Sequence, residues 1–187
     1  MPKKKTKQNK IARYIVYLLI LGLLVFEFLN FIGILNYQAS FTWTGLIVTI
    51  VMIFVGLQII MYYTEHNFHV SLSNQTMIVV LIGIYLDAAA DMFQLYDRFE
   101  WFDQVVHFNA GILLCLVLYW FISRLEKTKQ IRLGPCLKSS FIFAATLTLG
   151  VTYEIEEYLE DFFTHSNRLG TGMDTANDMF MAAAGCI

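Results

Sequence analysis

Long apolar runs separated by short polar stretches dominate the chain. Five of these runs reach, or nearly reach, the length needed to cross a bilayer core as a helix: Ile11–Leu35, Thr44–Tyr63, Thr76–Phe93, Phe102–Ile122 and Ser139–Phe162. A span of this kind takes about 20 residues. A sixth run begins near Met173 and stops at Cys186-Ile187, and its 15 residues are too few to span. The pattern predicts an all-α polytopic membrane helix bundle of about six transmembrane helices, the last apparently incomplete. Residues 11–187 are read as a single transmembrane helical domain behind a basic segment, 1–10.

Composition supports the same class. The chain is 57% hydrophobic and only 15% charged, with a mean hydropathy of +0.57, which excludes an ordinary soluble domain. The leader M-P-K-K-K-T-K-Q-N-K resembles the start of a signal peptide, but the apolar run behind it exceeds a signal core and no A-x-A-like site follows. It reads as a retained helix. Cys115, Cys136 and Cys186 have no metal-type spacing and read as packing residues.

Basic residues set the expected orientation. Six of 13 fall between Lys3 and Arg13 and five more between Arg124 and Lys138. Lys and Arg concentrate on cytoplasmic loops, and alternating helices place both clusters on one side. The expectation is a bacterial inner (cytoplasmic) membrane protein with a cytoplasmic N-terminus. The same signal, with anionic lipids, accounts for the K-K-K-T-K run and leaves nucleic-acid binding without support.

The acids follow the opposite rule, because only Glu65 and Glu126 of the 15 belong to expected cytoplasmic loops. An ionised side chain near the bilayer centre costs roughly 2.5–3.5 kcal/mol on insertion scales, so acids gathered in a small bundle need partners, water or protons. Residues three, four or seven apart share a helix face. Such pairs recur as Asp87 and Asp91, Asp103 and His107, Glu154 with Glu157 and Asp161, and Asp174 and Asp178. Counted along their helices, His107, Asp178, Glu154 and Asp91 fall at similar depth below the outer surface. Glu156 and Glu160 point elsewhere and read as rim residues. Asp103 and Asp174 also suit the N-terminal end of a helix dipole, and Glu27 either pairs with the site or stays protonated.

Gathering like charges makes each costlier, and a cation relieves the cost. Carboxylates with one imidazole suit a divalent metal such as zinc, manganese, iron or magnesium, as in helix-bundle sites built from inward-facing acids and His. The expected ligands are His107, Glu154, Glu157, Asp178 and Asp103, with Asp91 or Asp174 completing the shell or acting as a catalytic base.

Tyr153-Glu154-x-x-Glu157, Asp103-x-x-x-His107 followed by Gly111, and Asp174-Thr175-x-x-Asp178-Met179-Phe180-x-Ala182-x-x-Gly185 together resemble the YjdF-type bacterial inner-membrane proteins. The resemblance covers about Tyr96 onward and implies a membrane fold of about six helices, with no established activity. Asp103, His107, Phe108, Asp178 and Gly185 also resemble the VanZ-like membrane proteins associated with glycopeptide-antibiotic tolerance. Ala182 stands where that pattern has Asn, and Glu154 and Glu157 replace its Glu-Gln pairing, so drug tolerance does not carry over.

Two functional classes stay open. In one, a metal enzyme acts on a membrane lipid or lipid-linked envelope substrate, with Arg168 of the H-S-N-R-L-G-T-G loop as a candidate phosphate contact. In the other, the cluster passes a cation or proton, as in a coupled transporter. The inner halves of the fourth and fifth helices offer chiefly Ser139, Ser140, Thr146 and Thr148 for such a path, and no inverted repeat is visible. A membrane assembly or scaffold role is a third reading, weakened by the small average strength of polar contacts between membrane helices.

Overall fold

The computed structural model describes residues 3–187, with side chains from residue 11 onward. The basic side chains of the leader, on which the 1–10 segment was assigned, lie outside the described residues. Seven helices are described: α1 (Lys3–Phe31), α2 (Trp43–Phe68), α3 (Asn74–Met92), α4 (Leu95–Arg98), α5 (Phe102–Lys127), α6 (Pro135–Thr164) and α7 (Gly172–Gly185). Five of them, α1, α2, α3, α5 and α6, are long and apolar enough to cross a membrane. The protein is a polytopic helix bundle.

Local chemistry explains the helix limits that differ from the hydropathy reading. α1 stops at Phe31 instead of Leu35 because the chain turns at Gly33, whose φ of +75° suits a residue without a Cβ. α6 starts at Pro135 instead of Ser139: Gly134 is the extended cap and Pro fits the first turn, where its missing N–H is no loss. Thr42, Ser73 and Thr171 cap α2, α3 and α7 by accepting from the N–H groups of Gly45, Thr76 and Asp174 at 3.0, 3.2 and 3.3 Å. The four-residue α4 carries no apolar period of its own.

The bundle has two unlike parts. α1, α2 and α3 enclose an apolar core of Val16, Ile20, Leu57, Met61, Met77 and Ile84, with Phe121 of α5 packed against it. Where lipid replaces water outside, such a core is held by dispersion and close fit rather than by the hydrophobic effect. Exposed Leu18, Ile59 and Phe141 form part of the apolar outer surface that lipid tails cover.

α5, α6 and α7 form the second part, where small residues let the backbones meet. A Cβ on Gly111 would strike the Ala182 carbonyl, and one on Gly185 the Phe108 carbonyl. α7 has 14 residues and rises about 21 Å. It runs parallel to α5 in a constant register: His107 lies by Asp178, Gly111 by Ala182, and Cys115 Sγ 3.6 Å from the Cys186 carbonyl. α6 runs the other way and adds a member to each layer. Glu154 meets His107, Gly150 faces the Ala182 methyl, and the Cys186 thiol lies 3.5 Å from the Thr146 hydroxyl. The three thiols are free; Cys115 and Cys186 are half-buried in this register, whereas Cys136, expected to pack, is exposed.

Candidate functional site

The three-helix register places a polar layer one turn above a layer of small residues. On α5, Asp103 and His107 are four apart and therefore stacked on one face, with His107 Nε2 3.6 Å from an Asp103 oxygen. The other ring nitrogen of His107, Nδ1, lies 3.8 Å from Glu154 Oε1 on α6. Asp178 of α7 completes the group: one ligand atom from each of Asp103, His107 and Asp178 lies within 4.8 Å of the others. His107, Glu154 and Asp178 are buried.

Two oxygens in this layer have no hydrogen-bond partner, Asp178 Oδ1 and Glu154 Oε2. Leaving buried carboxylate oxygens unmatched is costly, and a cation bound in this layer would relieve that cost. Metal–ligand bonds of about 2.0–2.2 Å put tetrahedral ligand atoms roughly 3.4 Å apart, so the trio already has the scale of a slightly open coordination shell.

The other carboxylates of α6 serve a different centre. Arg168, from the loop between α6 and α7, folds back into the bundle until its side chain is 3% exposed. Its Nε lies 3.1 Å from Glu157 Oε1, and its Nη1 lies 2.9 Å from Glu160 Oε2 and 3.9 Å from Glu156 Oε2. It also donates to the Tyr153 hydroxyl and, at 3.4 Å, to Thr49 of α2. Thr49 donates in turn to Glu156 at 3.3 Å, and Thr42 to Glu160. Burial alone would lower the pKa of the guanidinium; the surrounding Tyr153, Asp87, Glu157 and Glu156 raise it well above the usual value, so Arg168 is a permanent cation.

This cage changes three expectations. Glu156 and Glu160, read as rim residues, are buried at 7% and 8% exposure. Arg168, read as a loop residue open to a phosphate, has its donors turned onto glutamates inside the bundle. Glu157 sits against Arg168, and the group round His107 takes Glu154 alone from α6. Tyr153 joins the two centres, its ring in edge contact with His107 at 5.8 Å and beneath the guanidinium at 5.3 Å.

Among the remaining acids, Asp161 and Asp91 hold backbone. Asp161 accepts from the Ser166 hydroxyl at 2.6 Å and from the N–H groups of Arg168 and Leu169 at 2.8 and 3.0 Å, which fixes the loop that delivers Arg168. Asp91 accepts from the Phe41 N–H at 2.9 Å, leaving its buried Oδ2 unpartnered. Asp87 accepts from the Tyr96 hydroxyl of α4 at 2.7 Å. Asp174 packs against Gly170, whose φ of +66° and lack of a Cβ leave room for the carboxylate. Glu27 is 1% exposed and neither of its oxygens has a partner. Above the cage, Ser40, Phe41, Thr42, Asp97, Ser166 and Asn167 line an open cavity of about 470 Å³.

The family described as "predicted membrane protein (DUF2238)" matches residues 15–187, and the chain belongs to it. No curated protein and no solved structure matches.

Proposed function

We propose that this member of the predicted membrane protein family is a metal-dependent enzyme acting on a membrane lipid or lipid-linked envelope precursor. Asp103, His107 and Asp178 are the metal ligands, with Glu154 beside them. The observation that carries the reading is the gathering of ligand atoms of Asp103, His107 and Asp178 within 4.8 Å of one another, with buried, unpartnered oxygens on Asp178 and on neighbouring Glu154. Oxygen and imidazole donors suit zinc, manganese, iron or magnesium. Such an ion would polarise a phosphate or ester oxygen or activate water.

The protein's own groups have separable tasks in this scheme. Glu154, with one oxygen near His107 and the other unmatched, is placed to accept or return a proton. The Arg168 cage holds α6 and Tyr153 in position and keeps a fixed positive charge near the acids. Asp91 has given one oxygen to the Phe41 N–H and Asp174 lies against its loop, so neither is favoured over Glu154 as the base. The basic clusters support a bacterial inner-membrane location with the N-terminus in the cytoplasm, which puts the site toward the outer leaflet. The close contact of Gly111 with Ala182 just below the polar layer favours a one-sided cavity over a conduit.

Elemental analysis of detergent-purified protein tests the reading. Wild type and Glu157→Gln should carry close to one metal ion per chain, and His107→Ala and Asp178→Asn should lose it. Wild-type protein that stays metal-free after reloading with zinc, manganese, iron and magnesium would refute the proposal.

A further inference from the structure

At the opposite end of the bundle, far from the carboxylate site, a cavity of about 280 Å³ opens between the loop joining α2 to α3, the first turn of α3, and the last turns of α5. Its polar lining includes Ser71, Ser73, Thr76, Ser123, Arg124 and Lys127, and no acid lines it. Its apolar wall is Val70, Leu72 and Phe121, with Trp120 and Tyr119 beside the cations.

The charges round this cavity are unequal in their partners. Arg13 pairs with Glu65 at 2.9 Å, and Lys138 with Glu126 at 2.8 Å, so the acids of this end are taken. Among the described residues, Arg124 and Lys127 pair with none. α3 begins at the cavity wall, which adds the positive end of a helix dipole. Hydroxyl groups and two unpaired cations in one hollow make a receptor for an oxyanion. Its position identifies the source: it lies at the ends of two spanning helices, α3 and α5, where half-exposed Tyr119 beside Trp120 suits an interface, so the anionic headgroups of a bilayer come within its reach.

We propose that this cavity binds the phosphodiester headgroup of an anionic phospholipid, with Arg124 and Lys127 on the phosphate and the Ser71 and Ser123 hydroxyls beside it. Basic pockets between membrane helices take such headgroups, and each cation near an anionic surface contributes about fivefold in affinity, so removing both should weaken binding about 30-fold. The inference does not depend on the metal site.

Native mass spectrometry of the purified full chain, titrated with phosphatidylglycerol or phosphatidylcholine, tests it. Phosphatidylglycerol should be retained in preference, and Arg124→Gln/Lys127→Gln should lower that retention about 30-fold. The charge-keeping Arg124→Lys/Lys127→Arg should retain most of it. The pair Lys129→Gln/Arg132→Gln, which neutralises the same loop region outside the cavity, should leave binding unchanged. Equal retention of the two lipids, or an equal loss with the Lys129/Arg132 pair, would overturn the site. Displacement of the lipid by millimolar inorganic phosphate alone would also overturn it, in favour of a free anion. An unchanged melting temperature in the double variant separates lost binding from lost folding.

Discussion

The Arg168 cage makes a quantitative demand on the protein. Replacing Arg168 with Met keeps most of its volume but leaves Glu156, Glu157 and Glu160 facing one another at side-chain exposures of 7%, 8% and 4%. Removing one partner from a buried ion pair costs about 3–5 kcal/mol, because the remaining charge is neither solvated nor matched. For a chain of this length each kcal/mol moves a melting temperature by about 2–4 °C, so the variant should melt about 6–20 °C lower. Neutralising the acids as well should recover much of that loss, because the penalty lies in the unmatched charge rather than in the missing contacts. The triple variant Arg168→Met/Glu157→Gln/Glu160→Gln should therefore melt above Arg168→Met. Thermal unfolding in detergent, followed by helix circular dichroism at matched pH, reads both numbers. A triple variant no more stable than the single would refute the idea that Arg168 acts as a counter-charge.

Two further outcomes follow from the backbone contacts. Gly111→Ala and Gly185→Ala should each destabilise by about 1–3 kcal/mol, since α5 and α7 must part to admit the methyl group; Gly22→Ala, with nothing within 4 Å, should cost nothing or stabilise. Similar melting temperatures in all three would contradict the close approach. Asp161→Asn weakens an acceptor of two backbone N–H groups and a hydroxyl, a loss of about 1–2 kcal/mol. It should speed hydrogen exchange in residues 165–171, and unchanged protection there would show that another contact holds the loop.

The membrane helices were legible because apolar length alone identifies them, and the Asp103–His107 spacing read correctly as a shared face. The short α4 was not, since four residues carry no period. The division of α6 into a site face and a rim face failed for a physical reason. A helical wheel assumes one buried side, yet α6 is enclosed by α5 and α7 on one side and by α2 and the returning Arg168 on the other. Nothing local to α6 announces that loop's return. The one available signal was a surplus: five acids in thirteen residues, followed by a single arginine within the next five. The layer of Gly111, Ala182 and Gly185 was present in the motif as letters, but its role in bringing Asp178 to His107 needs the parallel register of α5 and α7, which hydropathy does not encode.

The order of synthesis gives the cage one more consequence. The glutamates of α6 precede Arg168 in the chain and are balanced by a residue outside their own helix, so α6 taken alone carries acids without the cation that satisfies them. Until the 165–171 loop has been made and has folded back, those groups must stay near water or hold protons. The seating of the glutamate-bearing end of α6 against α2 therefore depends on the return of one loop residue as well as on the hydrophobicity of the helix.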